Sequence, residues 1–262
     1  MNTFIEELIR WLVSVQNIFT GELIGTMLLV LLGDGVVANV LLEKSKGQNS
    51  GWIVIAAGWG FAVAIAVYVA GWASGAHINP AVTIGLAAIG HPSVPASQVP
   101  VYLAGQFLGG LLGAVLVWLA YLPHWSPTAD VRKKLSVFCT VPEIRNLPAN
   151  FLCEVIGTAV LLIGVLGIMN KYNGLAGGVG PYAVGILVFS IGLSLGGPTG
   201  YAINPARDLS PRLAHALLPI AGKGPSDWGY AWVPVVGPIL GGLIGAFVYH
   251  ALFAGLAPLA TP

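Results

Sequence analysis

Apolar runs of about 20 residues, parted by short polar stretches, recur along the chain at roughly 18–42, 52–72, 99–121, 149–169, 180–196 and 231–254. A helix needs about 20 apolar residues to cross a bilayer, so each run predicts a spanning helix, the fifth being the shortest. Two further apolar pieces, about 79–90 and 204–217, are only half as long. They begin at the same tripeptide, Asn79-Pro80-Ala81 and Asn204-Pro205-Ala206, 125 residues apart. Pro is tolerated at the first helical position because its missing N–H would be unpaired there, and Asn is a favoured cap before it. Each triplet follows a glycine-containing approach, Ser74-Gly75-Ala76-His77 or Thr199-Gly200-Tyr201-Ala202. The pattern therefore predicts two short helices entered from extended backbone. In hydrocarbon such a break is tolerated only inside the protein or along a water-filled path. Two matched breaks point to a pore or a midplane binding site.

The order span, span, half, span occurs twice. Gly21-Glu22-Leu23-Ile24-Gly25-Thr26 in the first span recurs as Cys153-Glu154-Val155-Ile156-Gly157-Thr158 in the fourth, at an offset of 132 that lies close to the 125 of the triplets. Three spans per half is odd, so the second half starts from the opposite side and is inverted, a recurrent transporter and channel design. The expected organisation is one transmembrane domain over 1–262. Its halves, about 16–121 and 149–254, are joined by a polar connection at 122–148 that holds Arg132, Lys133, Lys134 and Arg145. That connection reads as a surface loop able to cover a pore mouth. Met1 to Val15 sets Phe4, Leu8, Trp11 and Leu12 against Glu6, Glu7 and Arg10, an amphipathic pattern expected along the membrane interface.

Composition agrees with a membrane setting. The chain is 56% hydrophobic and 8% charged, against roughly 25% charged for a soluble domain, and its mean hydropathy is +0.84. A net charge of +1 offers nothing to nucleic acid. The 36 glycines suit close helix contacts in lipid. Two cysteines, Cys139 and Cys153, cannot build a disulfide framework. Met1 to Arg10 carries acids rather than a basic leader, so no cleavable signal is expected. No metal-ligand cluster, cofactor motif or nucleophile elbow is apparent, so neither an enzyme nor a bound cofactor or metal is expected.

The chain resembles the major intrinsic protein family, the aquaporins and glycerol facilitators, over essentially its whole length. Ser74-Gly75-Ala76-His77-Ile78-Asn79-Pro80-Ala81-Val82-Thr83, Asn204-Pro205-Ala206-Arg207-Asp208 and Trp232-Val233-Pro234 with Gly237-Pro238 look like the bacterial glycerol facilitator branch. The resemblance implies an aquaporin-like all-α fold of six spanning helices and two half-helices in an inverted repeat. It also implies a homotetramer with one pore per subunit in the cell membrane. Asp208, directly after the arginine, is the family's usual mark of polyol permeation.

Several residues carry this reading. With Asn79 and Asn204 capping through their side-chain oxygens, their amide NH₂ groups are free to donate into the lumen. Two facing half-helix N-termini also set positive dipole ends at mid-path, opposing cations and protons. Arg207 would cost about 2.5–3.5 kcal/mol in lipid, so it is expected to line a wet cavity and offer N–H donors. By resemblance, Trp59, Gly192 and Tyr201 complete a constriction with it. Gly192 leaves space, and two ring faces let an alkyl backbone slide opposite the donor wall. Tyr201 departs from the phenylalanine common in glycerol facilitators. Resemblance further implies that the carbonyls of Gly75, Ala76, His77, Gly200 and Ala202 face the lumen as acceptors. His77 reads as a structural pore-lining residue more readily than as a pH sensor. Glu22 and Glu154 could relay protons, but their repeat symmetry favours a scaffold role, each holding a half-helix loop. For Asp34, also in the first span, the sequence offers only a place facing the vestibule.

The expected function is passive passage of small neutral solutes, glycerol and water foremost, with dihydroxyacetone and undissociated lactic acid as further candidates. The rival readings are a strictly water-selective channel, which usually has a larger group than Gly192, and a proton-coupled transporter, which needs carboxylates converging on the centre. Resemblance puts both termini in the cytoplasm, whereas the basic residues Lys44, Lys46 and those of 132–145 would prefer the reverse.

Overall fold

The computed structural model describes residues 3–173, 175, 178–253 and 255–256, and every regular element among them is helical. Ten α-helices follow in order: α1 (Thr3–Leu41), α2 (Trp52–Ser74), α3 (Pro80–Ala88), α4 (Val99–Ala120), α5 (Leu122–Trp125), α6 (Val131–Phe138), α7 (Leu147–Ile168), α8 (Val179–Leu195), α9 (Pro205–Leu217) and α10 (Val233–Phe253). Helices α1, α2, α4, α7 and α10 are long and apolar enough to span a bilayer, and α8 is a shorter apolar helix of 17 residues. The six expected spans and both half-helices are present.

Packing repeats between halves. Helix α1 packs on α2 and α4 as α7 packs on α8 and α10. Each half-helix crosses to the other half, α3 against α10 and α9 against α4, while α2 and α8 meet at the centre. Glycines permit the closest approaches. A Cβ at Gly105 would lie 2.9 Å from Glu22 Cβ, and one at Gly237 would lie 2.8 Å from Glu154 Cβ. A Cβ at Gly110 would meet the Ala206 carbonyl at 2.9 Å, and one at Gly242 the Ala81 carbonyl at 2.8 Å. Both glycine pairs keep the 132-residue offset, and their partners keep 132 and 125, so the repeat persists at the level of single contacts.

Two expectations need correction. Thr3 to Val15 is not a separate element but continues into the first span as one 39-residue helix. No proline interrupts this stretch, and the helix, roughly 58 Å long at 1.5 Å per residue, outruns the hydrocarbon thickness. Met1 and Asn2 lie outside the described residues. The 122–148 connection is not simply a surface loop either. Asp130 caps α6 by accepting from the backbone N–H of Arg132 (2.8 Å) and Lys133 (3.2 Å), and Trp125, Leu135, Val137 and Phe138 are buried. Helix α6 packs on α1 and α9, and its Arg132 and Ser136 border a cavity there.

Candidate pore and constriction

The approaches to the half-helices are strained in matched fashion. Gly75, Ala76 and Ile78 have φ of 84°, 47° and 45°, and Gly200, Tyr201 and Ile203 have φ of 84°, 39° and 43°. Left-handed backbone is costly for alanine, tyrosine and above all β-branched isoleucine, so it persists only where the surroundings enforce it. Two buried carboxylates do so. Glu22 Oε1 accepts from Ser74 Oγ (2.7 Å) and the His77 N–H (2.9 Å), and Oε2 accepts from the Ile78 N–H (2.7 Å). In the other half, Glu154 Oε1 accepts from Thr199 Oγ1 (2.7 Å) and the Ala202 N–H (3.0 Å), and Oε2 from the Ile203 N–H (2.8 Å).

The sequence left Gln106 unread. Its amide donates to Glu22 Oε2 (2.7 Å) and to Thr83 Oγ1 (2.9 Å). His77 joins the same network, with Nδ1 3.1 Å from Thr83 Oγ1 and its ring stacked 4.5 Å from that of Tyr102. A lone glutamine in an apolar span was the available signal. Pro238 stands at the repeat-equivalent place, so the second half lacks this extra bond.

Asn79 accepts from the Ala81 N–H (2.9 Å), and Asn204 accepts from those of Ala206 (3.0 Å) and Arg207 (3.2 Å). Their amides are not wholly free, as the sequence reading had them. Asn79 Nδ2 donates to the Ile203 carbonyl and Asn204 Nδ2 to the Ile78 carbonyl, each at 2.8 Å. One hydrogen of each amide thus ties the two halves together and one remains. The cross-links fix the N-termini of α3 and α9 against each other at the centre.

Two cavities meet here. One, of about 170 Å³, is bordered by Gly75, Ala76, His77, Asn79, Ala202 and Asn204, with an apolar wall that includes Val63, Val67, Leu161 and Val188. The other, a vestibule of about 230 Å³, is bordered by Gly200, Thr140, Trp52 and Ile55. Among the described residues, only three border both: Trp59, Tyr201 and Arg207. They form the partition between the cavities. The Arg207 guanidinium carbon lies 4.1 Å from the centre of the Trp59 ring, a cation–π contact. Its Nη1 lies 3.4 Å from both the Phe138 carbonyl and Asp34 Oδ1. Gly192 sits behind this partition, where a Cβ would come within 2.8 Å of the Tyr201 ring and hydroxyl. The space it leaves is occupied by Tyr201. Trp52 Nε1 donates to the Gly192 carbonyl (2.9 Å), and its ring meets Tyr201 edge-on at 5.8 Å.

Asp208 does not border either cavity. It accepts from the Thr140 N–H (2.7 Å) and hydroxyl (2.6 Å) and pairs with Arg212 at 2.8 Å. Arg212 in turn donates to the carbonyls of Thr140 (3.0 Å) and Ser226 (2.8 Å). This clamp fixes the connection that presents the Phe138 carbonyl to Arg207. Farther out, Arg145 and Asp227 form a two-bond pair at 2.7 and 3.0 Å, which raises the arginine's pKa. Glu43 accepts from Gln48 and pairs with Lys133 (3.3 Å), and these hold its carboxyl below the usual range. Among the described residues, no group of three His, Cys, Asp or Glu is placed to hold a metal.

A profile described as major intrinsic protein matches residues 11–249. The chain belongs to the major intrinsic protein family. Relatives within it include the probable glycerol uptake facilitator protein of Thermotoga maritima, 64% identical over 91% of this chain and 100% of that one. The glycerol uptake facilitator protein of Bacillus subtilis is 57% identical over 90% of this chain and 85% of its own. Among solved structures, the aquaglyceroporin from Plasmodium falciparum superposes with a TM-score of 0.81 at 30% identity, covering 91% of this chain and 96% of that one. The fold is therefore the family's, and the protein is a multi-pass membrane protein.

Proposed function

We propose that this protein is a passive channel for small neutral solutes, glycerol and water foremost, acting in the cell membrane as a homotetramer with one pore per subunit. The observation that carries the reading is the three-residue partition of Trp59, Tyr201 and Arg207 between two cavities. It sets two aromatic side chains beside one guanidinium, a mix of apolar and donor surface that suits a molecule carrying both CH groups and hydroxyls. The names of its relatives, glycerol uptake facilitators and an aquaglyceroporin, agree with that chemistry. Dihydroxyacetone and undissociated lactic acid have the same size and balance. The carbonyls of Gly75, Ala76, His77, Gly200 and Ala202 would serve as acceptors along the path, and the remaining amide hydrogens of Asn79 and Asn204 as donors at its centre.

The two repeat-related acids are not placed for proton coupling. Both oxygens of Glu22 and of Glu154 accept hydrogen bonds from the half-helix loops, which supports a scaffold role for these acids. Isotope uptake into vesicles separates the readings. Labelled glycerol should reach its external concentration and stop, unaffected by an uncoupler. Accumulation above that level, or collapse with the uncoupler, would contradict a passive channel.

A further inference from the structure

Asp34 is fully buried in α1, 173 positions before the arginine it pairs with. Its bonding differs from that of the scaffold acids. Glu22 and Glu154 accept from several N–H and O–H donors, whereas Asp34 Oδ1 has the Arg207 guanidinium and Oδ2 has no partner among the described residues. Asp208, next to Arg207 in sequence, is committed to Arg212 and Thr140. The neighbouring Gly33 seats the Trp59 ring, since a Cβ there would overlap it. One turn of α1 therefore backs two of the three residues of the partition. Leu166 occupies the repeat-equivalent position, so the acid belongs to one half only. Among the described residues, the Arg207 guanidinium is the one polar group within bonding reach of this carboxyl.

We propose that Asp34 is the resident counter-ion of the constriction arginine: it holds Arg207 against Trp59 and cancels its charge, so the opening presents N–H donors without net positive potential and refuses anions as well as cations. This deepens the channel reading and rests on it. An uncompensated guanidinium would offset the dehydration of a small anion at the narrowest point. With the carboxylate beside it, that attraction is already satisfied within the protein. Asp34 is thus a positioning and specificity residue that acts through Arg207.

The test uses proteoliposomes loaded with potassium nitrate, valinomycin to carry the counter-charge, and parallel glycerol flux. Nitrate stays ionised at every assay pH. Wild type should pass glycerol and leak nitrate no faster than empty vesicles. Asp34→Asn should raise nitrate efflux at least tenfold, Asp34→Glu should return it toward wild type, and the double variant Asp34→Asn/Arg207→Gln should abolish the gain. Wild type that passes no glycerol would refute the channel reading itself. Asp34→Asn that passes glycerol with wild-type nitrate exclusion would refute the counter-ion alone. Thermal unfolding of the detergent-solubilised proteins decides the case where Asp34→Asn folds poorly. The counter-ion role requires the double variant to be more stable than the single, because it leaves no unpaired buried charge. Equal stability would overturn the proposal.

Discussion

Tyr201 stands at the partition with its hydroxyl buried and without a hydrogen-bond partner among the described residues. A permeating hydroxyl is the natural partner for it. Tyr201→Phe should therefore cost little stability and leave water permeation intact, while changing the ranking among small polyols. Identical relative permeabilities for glycerol, dihydroxyacetone and longer polyols in both proteins would show the hydroxyl to be idle. Glu154 presents the opposite case. Glu154→Ala strands the N–H groups of Ala202 and Ile203 and the Thr199 hydroxyl, each at about 1–3 kcal/mol. Their sum approaches the whole stability of an ordinary domain, roughly 5–15 kcal/mol. Loss of the folded species in thermal unfolding is the expected result, and a small shift in midpoint would count against the scaffold role. Sequence made Asn79, Asn204, Glu22 and Glu154 legible because doubled motifs and repeat symmetry are local signals. Asp34 and Gln106 have no repeat-mate of their kind, and Phe138 acts through its backbone. Their partners lie 173, 84 and 69 positions away, so only the fold could join them.

Among the elements, the spans were readable because about 20 apolar residues have one meaning in a membrane protein. The half-helices began where Pro at the first helical position puts them, at Pro80 and Pro205. The 122–148 connection was harder. Its short helices hold only 4 and 8 residues, and the second is buried against α1 and α9, which lie far off in sequence. The glycines of α4 and α10 were visible as composition, but their partners were not. A Cβ at Gly241 would run into the Val155 backbone carbonyl of α7, and one at Gly109 into that of Leu23 in α1. Backbone cannot yield as a side-chain tip can, and overpacking costs about 1–3 kcal/mol or more. Gly241→Leu should force α10 from α7 and collapse the monodisperse peak in fluorescence-detected size exclusion. An unchanged profile would mean that the helices separate at little cost.

At the scale of the whole molecule, the inverted repeat brings two positive helix ends, two asparagines and one partition onto a single path. In the proposed channel each of these elements acts on a solute stripped of its water, so neutrality is the property selected. Lactic acid tests this without a mutation. Its undissociated form presents hydroxyl, carbonyl and methyl groups, whereas its anion faces a desolvation cost of several kcal/mol. Channel-dependent flux at constant total acid should fall about tenfold per pH unit above a carboxyl pKa near ~4. Flux that stays flat from about pH 4.5 to about 7.5 would mean that the anion crosses.

The most direct measurement is stopped-flow light scattering of proteoliposomes moved into isosmotic glycerol, with hyperosmotic sucrose as the impermeant control. A passive glycerol channel predicts rapid swelling in glycerol, well above protein-free vesicles, and fast shrinkage without recovery in sucrose. Fast water exit in sucrose combined with glycerol entry no faster than through bare lipid would contradict the account, because the partition would then pass water and exclude the polyol.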